Sequence, residues 1–160
     1  MPSRPLAIQF ALLLVLAVIL GSAANLFILP KDDRLAWVED WGKYVEAKAV
    51  EAGITLVDLG QVRDIIDQRK HMVFDARPTV DFDAGHLPGA ISLPYQDVEF
   101  VFQDVMILLT PETPILTYCS GEECDESLQI SEFLLEQGFT NIVLFAGGYN
   151  AWEAGGLPTE

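Results

Sequence analysis

Residues 114–137 read PILTYCSGEECDESLQISEFLLEQ, and two periodicities meet inside this one stretch. Pro114 to Tyr118 is apolar on both faces, the pattern of a strand covered on both sides. Ser127 to Gln137 repeats its apolar residues at helical spacing, and Gly138 closes it. Between them lies the polar, glycine-containing SGEECDE. A doubly buried strand, a loop and a helix in that order form the unit of a parallel α/β sheet. Cys119 then stands at the carboxyl end of a parallel strand and ahead of a helix amino terminus, where open α/β sheets bind their ligands. N–H groups of the loop, Ser120 to Cys124, and of the first helical turn can stabilise a thiolate or an added sulfur atom there. A lone cysteine is most often a buried structural residue. The polar loop and the second thiol, Cys124, make Cys119 the candidate nucleophile instead.

Working outward, the same alternation of short apolar runs and helical stretches covers the chain from Ile54 on. Strands are expected over Ile54–Val57, Met72–Asp75, Ala90–Leu93, Pro114–Tyr118 and Ile142–Phe145. Helices are expected over Gly60–Arg69, Asp97–Leu109 and Ser127–Gln137, with a last turn or helix at Tyr149–Glu153. The architecture this predicts is a three-layer α/β/α domain over residues 54–160 with about five parallel strands. No internal repeat and no low-complexity segment interrupts it.

Three segments in this region resemble the rhodanese-like sulfurtransferase family. Phe74 to Pro94, FDARPTVDFDAGHLPGAISLP, is similar to its amino-terminal signature; Cys119 falls where the family carries sulfur on a cysteine; and Ala146 to Pro158, AGGYNAWEAGGLP, is similar to its carboxy-terminal signature. The resemblance covers roughly residues 54 to 160. It implies a rhodanese-like fold, a persulfide on Cys119, a substrate-binding loop of Ser120, Gly121, Glu122, Glu123 and Cys124, and no cofactor. Its partners would be a sulfur donor and a thiol or protein acceptor. The signature residues read physically as scaffold near the site. Asp75 and Arg77 can pair and hold the loop after their strand. His86 sits among turn-forming Gly and Pro residues as a hydrogen-bonded structural histidine. Gly147 and Gly148 allow backbone to approach the loop of Cys119, and Trp152 reads as core.

The sequence also departs from the family. The resemblance implies a short active loop often containing Arg or Lys, suited to anionic thiosulfate. Here the stretch after Cys119 is longer and holds Glu122, Glu123, Asp125 and Glu126, with no cation nearby. Related phosphatases and arsenate reductases need an Arg where this chain has Asp125, which disfavours oxyanion chemistry. Each exposed carboxylate opposes a thiolate by ~0.2–1 kcal/mol, comparable with the ~0.3–1 kcal/mol a helix terminus contributes. A Cys119 pKa that is not strongly depressed, and weak activity with free thiosulfate, are therefore expected. Cys124 offers either a resolving thiol, able to attack a sulfur-loaded Cys119 and leave a disulfide, or a small residue facing the helix cap. The alternatives to sulfur transfer are a Cys119/Cys124 dithiol–disulfide redox protein and a non-catalytic rhodanese-type module that binds a partner through its acidic face.

The chain has 160 residues and a formal net charge of −15, with 51% apolar and 21% charged residues, which excludes a disordered polymer. All nine cations lie at or before Arg77, and fourteen acids follow it. Most nucleic-acid binding is excluded and no nucleic-acid partner is expected, because phosphate backbones are held mainly by Lys and Arg. A metal site is not expected, since two cysteines with His71 and His86 distant give no ligand spacing.

Pro5 to Leu29 carries no charge and has only Gln9, Ser22 and Asn25 as polar side chains. As a helix it would extend about 37 Å, enough to cross a bilayer. Residues 1–30 are expected to be a single-pass transmembrane anchor, or a signal cleaved near Ser22-Ala23-Ala24. Arg4 ahead of the span and an acidic domain behind it point to an extracytoplasmic domain, although Lys31, Arg34, Lys43 and Lys48 count the other way. Residues 31–53 read as an amphipathic linker helix, capped by Asp32 or Asp33 and ended by Gly53. Its Trp37, Trp41 and Tyr44 suit either a membrane interface or packing on the domain.

Overall fold

The computed structural model describes residues 5–28, 41–121 and 124–160. The chain divides into two compact units, Met1–Glu39 and Asp40–Glu160. In the first, the described element is helix α1 (Leu6–Phe27). Among the described residues no helix is long and apolar enough to cross a membrane. The span expected over residues 5–29 is therefore not found. Helix α1 covers Leu6–Phe27 of that stretch, with Gln9, Ser22 and Asn25 as its polar residues.

The second unit begins with α2 (Trp41–Glu51), β1 (Thr55–Leu56), α3 (Leu59–Gln68), β2 (Met72–Asp75), α4 (Thr79–Ala84) and β3 (Ala90–Ser92). It continues with α5 (Val98–Val105), β4 (Ile115–Tyr118), α6 (Glu126–Glu136), β5 (Ile142–Phe145) and α7 (Gly148–Ala154). The five strands form one parallel sheet in the order β1-β5-β4-β2-β3. Residues of β2, β4 and β5 alternate between two apolar layers, because successive side chains in a strand leave on opposite faces. Phe74, Ile115, Ile142 and Leu144 join α2, α5 and α6 on one face, and Val73, Leu116 and Phe145 join α3 and α7 on the other. All four residues of β4 are buried, as its apolar run requires.

Helix α2 belongs to this core. Val45 and Ala49, one helical turn apart, are 1% and 0% exposed and pack in the α5/α6 layer. Gly53, at φ +76°, then lets the chain turn out of the helix into β1. The expected caps Asp32 and Asp33, with Trp37, lie outside the described residues. The single helix expected over Asp97–Leu109 is a 3-10 turn at Tyr95–Asp97, then α5, then a second 3-10 turn at Met106–Leu108. Val98, Phe102 and Val105 are its buried stripe, and Ile107 and Leu108 stand exposed beyond it, so nothing buried holds the last turn in α geometry. Helix α3 opens on a capping box in which the Asp58 carboxylate accepts from Gln61 N–H and the Gln61 side chain accepts from Asp58 N–H, both at 2.9 Å.

Candidate active site

Cys119 is the first residue after β4. Its side chain lies on the α6 face of the sheet, 1% exposed, in the same layer as Leu128, Ile130 and Leu134 of α6. Residues 120–125 form the loop to α6, and Glu122 and Glu123 of that loop lie outside the described residues. Cys124, partly buried, is disulfide-bonded to Cys119, with the two Cα atoms 6.4 Å apart. The Cys119 Sγ is 3.2 Å from the Cys124 carbonyl oxygen and 3.8 Å from that of Gly121. The buried Ser127 hydroxyl donates to the same sulfur at 3.5 Å. The N–H cradle expected from Ser120 to Cys124 is not among these contacts. In the bonded pair the sulfur turns toward Cys124 and meets carbonyls, while the Cys124 N–H donates to Gly121 O at 2.9 Å.

Helix α7 sets the loop's position through its backbone. The N–H of Tyr149 donates to Cys119 O at 2.8 Å, and that of Asn150 to Ser120 O at 2.9 Å. Gly148, at φ +59°, makes this approach: a Cβ there would collide with the Cys119 carbonyl and the Gly121 nitrogen. Gly147 is confined less tightly and by side chains, with a Cβ meeting Ala151 and Phe145. A side chain at Gly148 would push α7 off the loop.

Asp75 and Arg77 do pair, and the pair is buried, at 0% and 5% exposed. Arg77 Nε donates to both Asp75 carboxylate oxygens at 3.0 Å, and its Nη2 donates to Asp75 Oδ2 at 2.6 Å and to the Gly85 carbonyl at 2.7 Å. The guanidinium carbon stacks 4.2 Å from the centre of the Tyr149 ring. Tyr118 completes the network, donating its hydroxyl to Asp75 Oδ2 at 2.6 Å and accepting from Leu87 N–H at 3.1 Å. Burial, followed by the Asp75 charge, pushes the Tyr118 hydroxyl well above the usual phenol range, so it stays a donor. Burial disfavours the Arg77 charge, but Asp75 and Tyr118 outweigh it and hold the guanidinium firmly protonated.

His86 stands apart from the sulfur. Its ring stacks on Phe82 with centroids 3.8 Å apart, Nδ1 lies 3.0 Å from Phe82 O, and its backbone exchanges hydrogen bonds with Glu160. Trp152 is 2% exposed and donates from Nε1 to Pro158 O at 2.8 Å. His71 precedes β2 and so lies at the opposite end of the parallel sheet from Cys119. It lines a separate cleft of roughly 610 Å³ with Arg69 and Glu160. Among the described residues no three His, Cys, Asp or Glu side chains converge as metal ligands.

The tertiary fold adds residues that sequence reading passed over. In the sequence Ser127 is only a helix start and Tyr118 a strand end, and Gln96 carries no signal. Gln96 Nε2 reaches across to Glu126 Oε1 at 3.4 Å. Glu126 Oε2 lies 3.2 Å from Cys124 Sγ. Burial, then Asp125, Asp81 and Asp75, push the Glu126 carboxyl above the ordinary range, with Gln96 working in the opposite sense.

A five-stranded parallel sheet between helices, with a cysteine at the carboxyl end of its central strand, defines a class of α/β protein. Within that class, residues 58–155 match the family described as Rhodanese-like domain, and the chain belongs to that family. It is similar to a protein named Thiosulfate sulfurtransferase GlpE from Pseudoalteromonas translucida, 24% identical over 98 residues that cover 61% of this chain and 88% of the relative. Thiosulfate sulfurtransferase 16, chloroplastic, from Arabidopsis thaliana is 31% identical over 99 residues, covering 56% of this chain and 80% of the relative. Among solved structures, the BH2092 protein from Bacillus halodurans has the same fold, with a TM-score of 0.61 at 22% identity over 74% of this chain and 85% of that one.

Proposed function

We propose that the chain is a sulfurtransferase that carries sulfane sulfur as a persulfide on Cys119. The Cys119 thiolate attacks the sulfane sulfur of a donor. An S–S bond forms as the donor's own bond to that sulfur breaks, and the departing group leaves with the electron pair. An acceptor thiolate, on a small molecule or a protein, then attacks the outer sulfur and Cys119 is released as thiolate. The observation that carries this reading is the placement of Cys119, held by α7 at the end of the central strand beside the Ser127 hydroxyl. The sulfurtransferases among its relatives support it at the level of the family.

Free thiosulfate is a poor donor in this reading. No cation contacts the sulfur among the described residues, and the charge of Arg77 is committed to Asp75. Loop acidity opposes a second anion, which favours a less charged donor such as an organic persulfide.

The Cys119–Cys124 bond supports a second reading, a dithiol–disulfide couple. The two join if Cys124 attacks the inner sulfur of the persulfide, expelling hydrosulfide. A thiol reductant would then reopen the disulfide. Intact mass spectrometry of the full chain, prepared without reductant and then exposed to an inorganic polysulfide, tests both. A gain of one sulfur (~32 Da) that disappears in Cys119→Ser establishes persulfide carriage. A mass two hydrogens low without sulfur uptake selects the redox couple, and no change in any condition leaves a binding module.

A further inference from the structure

Glu126 makes a contact to which the transfer chemistry above gives no role. It is the first residue of α6, and its Oε2 lies 3.2 Å from Cys124 Sγ, the separation of an S–H···O hydrogen bond once the pair is reduced. Its other oxygen accepts from Gln96 at 3.4 Å. The charged groups that act on it are acids from three elements: Asp125 beside it, Asp81 on α4 and Asp75 on β2. Glu122 and Glu123 of the same loop lie outside the described residues. Burial and these neighbours give the carboxylate more proton affinity than usual. It therefore sits, as an improved base, against a thiol whose ordinary pKa is about 8.5.

We propose that Glu126 is the catalytic residue that takes the proton from Cys124 as Cys124 attacks the sulfur on Cys119. The proposal rests on the resolving role given to Cys124 above. In the step, the Cys124 S–H bond breaks and its proton passes to Oε2, while the thiolate pair forms the bond to Cys119 Sγ. The bond between that Sγ and the sulfane sulfur breaks, and its electron pair leaves with hydrosulfide, which takes up the proton held by Glu126. The Cys124 sulfur is oxidised from thiol to disulfide, the outer persulfide sulfur is reduced to sulfide, and the Cys119 sulfur exchanges one S–S bond for another, so no outside oxidant enters.

The test uses the full chain carrying Cys119→Ser, in which Cys124 is the remaining thiol, alkylated with iodoacetamide and followed by intact mass. Near pH 6 a thiol of ordinary pKa is scarcely ionised, and the rate with Glu126 present is expected to be about tenfold or more above that of Glu126→Gln. The two rates converge as pH rises towards the thiol pKa, where thiolate forms without a base. A carboxylate that only repels the thiolate has the opposite effect, with the glutamine chain reacting faster, so equal rates or a faster Glu126→Gln overturn the proposal. Gln96→Leu supplies an independent measurement: it removes the hydrogen bond that holds the Glu126 carboxyl down, so on acidification the excess rate due to Glu126 is lost at higher pH. An excess lost at an unchanged pH also overturns the assignment. Sulfur loading of the unsubstituted chain is read separately by mass, so a chain that loads no sulfur yet keeps the excess loses the transfer reading and retains the base.

Discussion

Tyr118 joins the layer of α3 and α7, where its hydroxyl donates to Asp75 at 2.6 Å and accepts from Leu87 at 3.1 Å. One residue further, Cys119 joins the layer of α6, and its sulfur meets two carbonyl oxygens and one hydroxyl. Strand alternation separates the two neighbours onto opposite faces, and the faces are built to different ends. Around Tyr118 the charge of Arg77 is matched by Asp75, and each hydroxyl, amide and guanidinium group named has its partner. Such a network is rigid and chemically quiet. Around Cys119 there is no matching cation among the described residues, and a carboxylate of raised proton affinity touches the second thiol. The saturated side is a closed network, and the unsaturated side holds the two sulfurs.

If that contrast is right, substitutions on the two sides separate into stability effects and reactivity effects. The largest effect on folding belongs to Asp75→Ala. It strands Arg77, 5% exposed, without its counterion, and is expected to cost about 3–5 kcal/mol in urea unfolding. A loss under about 1 kcal/mol would sink the view of this pair as the main brace. Tyr118→Phe comes next, at about 1–3 kcal/mol, because the buried Leu87 N–H loses its acceptor. Across the strand, Ser127→Ala removes the hydroxyl that donates to the Cys119 sulfur. Measured in a Cys124→Ser background, the Cys119 thiol should then titrate at higher pH and be sulfurated up to about tenfold more slowly at neutral pH, the worth of one hydrogen bond. Unaltered titration would remove Ser127 from the site.

The smallest expected effect is on stability, in Glu126→Gln. Burial and neighbouring acids raise the Glu126 carboxyl above its unfolded value, so ionising it costs more in the folded chain than in the unfolded one. That cost is absent below the unfolded pKa and complete once pH passes the folded pKa. The glutamine variant should therefore melt slightly higher than the parent at about pH 7 and at the same temperature at about pH 3. A parent that is the more stable of the two at neutral pH would show that the carboxylate is held there by a favourable contact.

Much of the frame was legible because it rests on local periodicity. Met72–Asp75 and Ile142–Phe145 are observed with the bounds their apolar runs predict, and Gly138, at φ +93°, ends α6 where its position in the pattern says it should. Helix α4 went unread, since TVDFDA is six residues with no apolar repeat and is delimited by Pro78 and Gly85. The Asp75–Arg77 pair was readable from its spacing, but Gly85 and Tyr118 enter that network from eight and 43 residues away. Glu126 was visible only as one more acid in the loop. Its contact with Gln96, 30 residues earlier, exists because the 3-10 turn before α5 packs beside α6.

Patterns with periods of two and 3.6 residues, turn residues and a few signature segments are properties of neighbouring positions, so the sequence alone determined the parallel α/β frame and the place of Cys119 at a strand end. It also determined the acidity of the loop and the presence of a second thiol within reach. The bonding of Cys119 to Cys124, the turning of its sulfur towards carbonyls, and the setting of Ser127 and Glu126 against the two sulfurs depend on how α6, α7 and the turn before α5 close over the end of β4. Those contacts join residues through space, and burial then sets the proton affinity of Glu126, which no local pattern encodes.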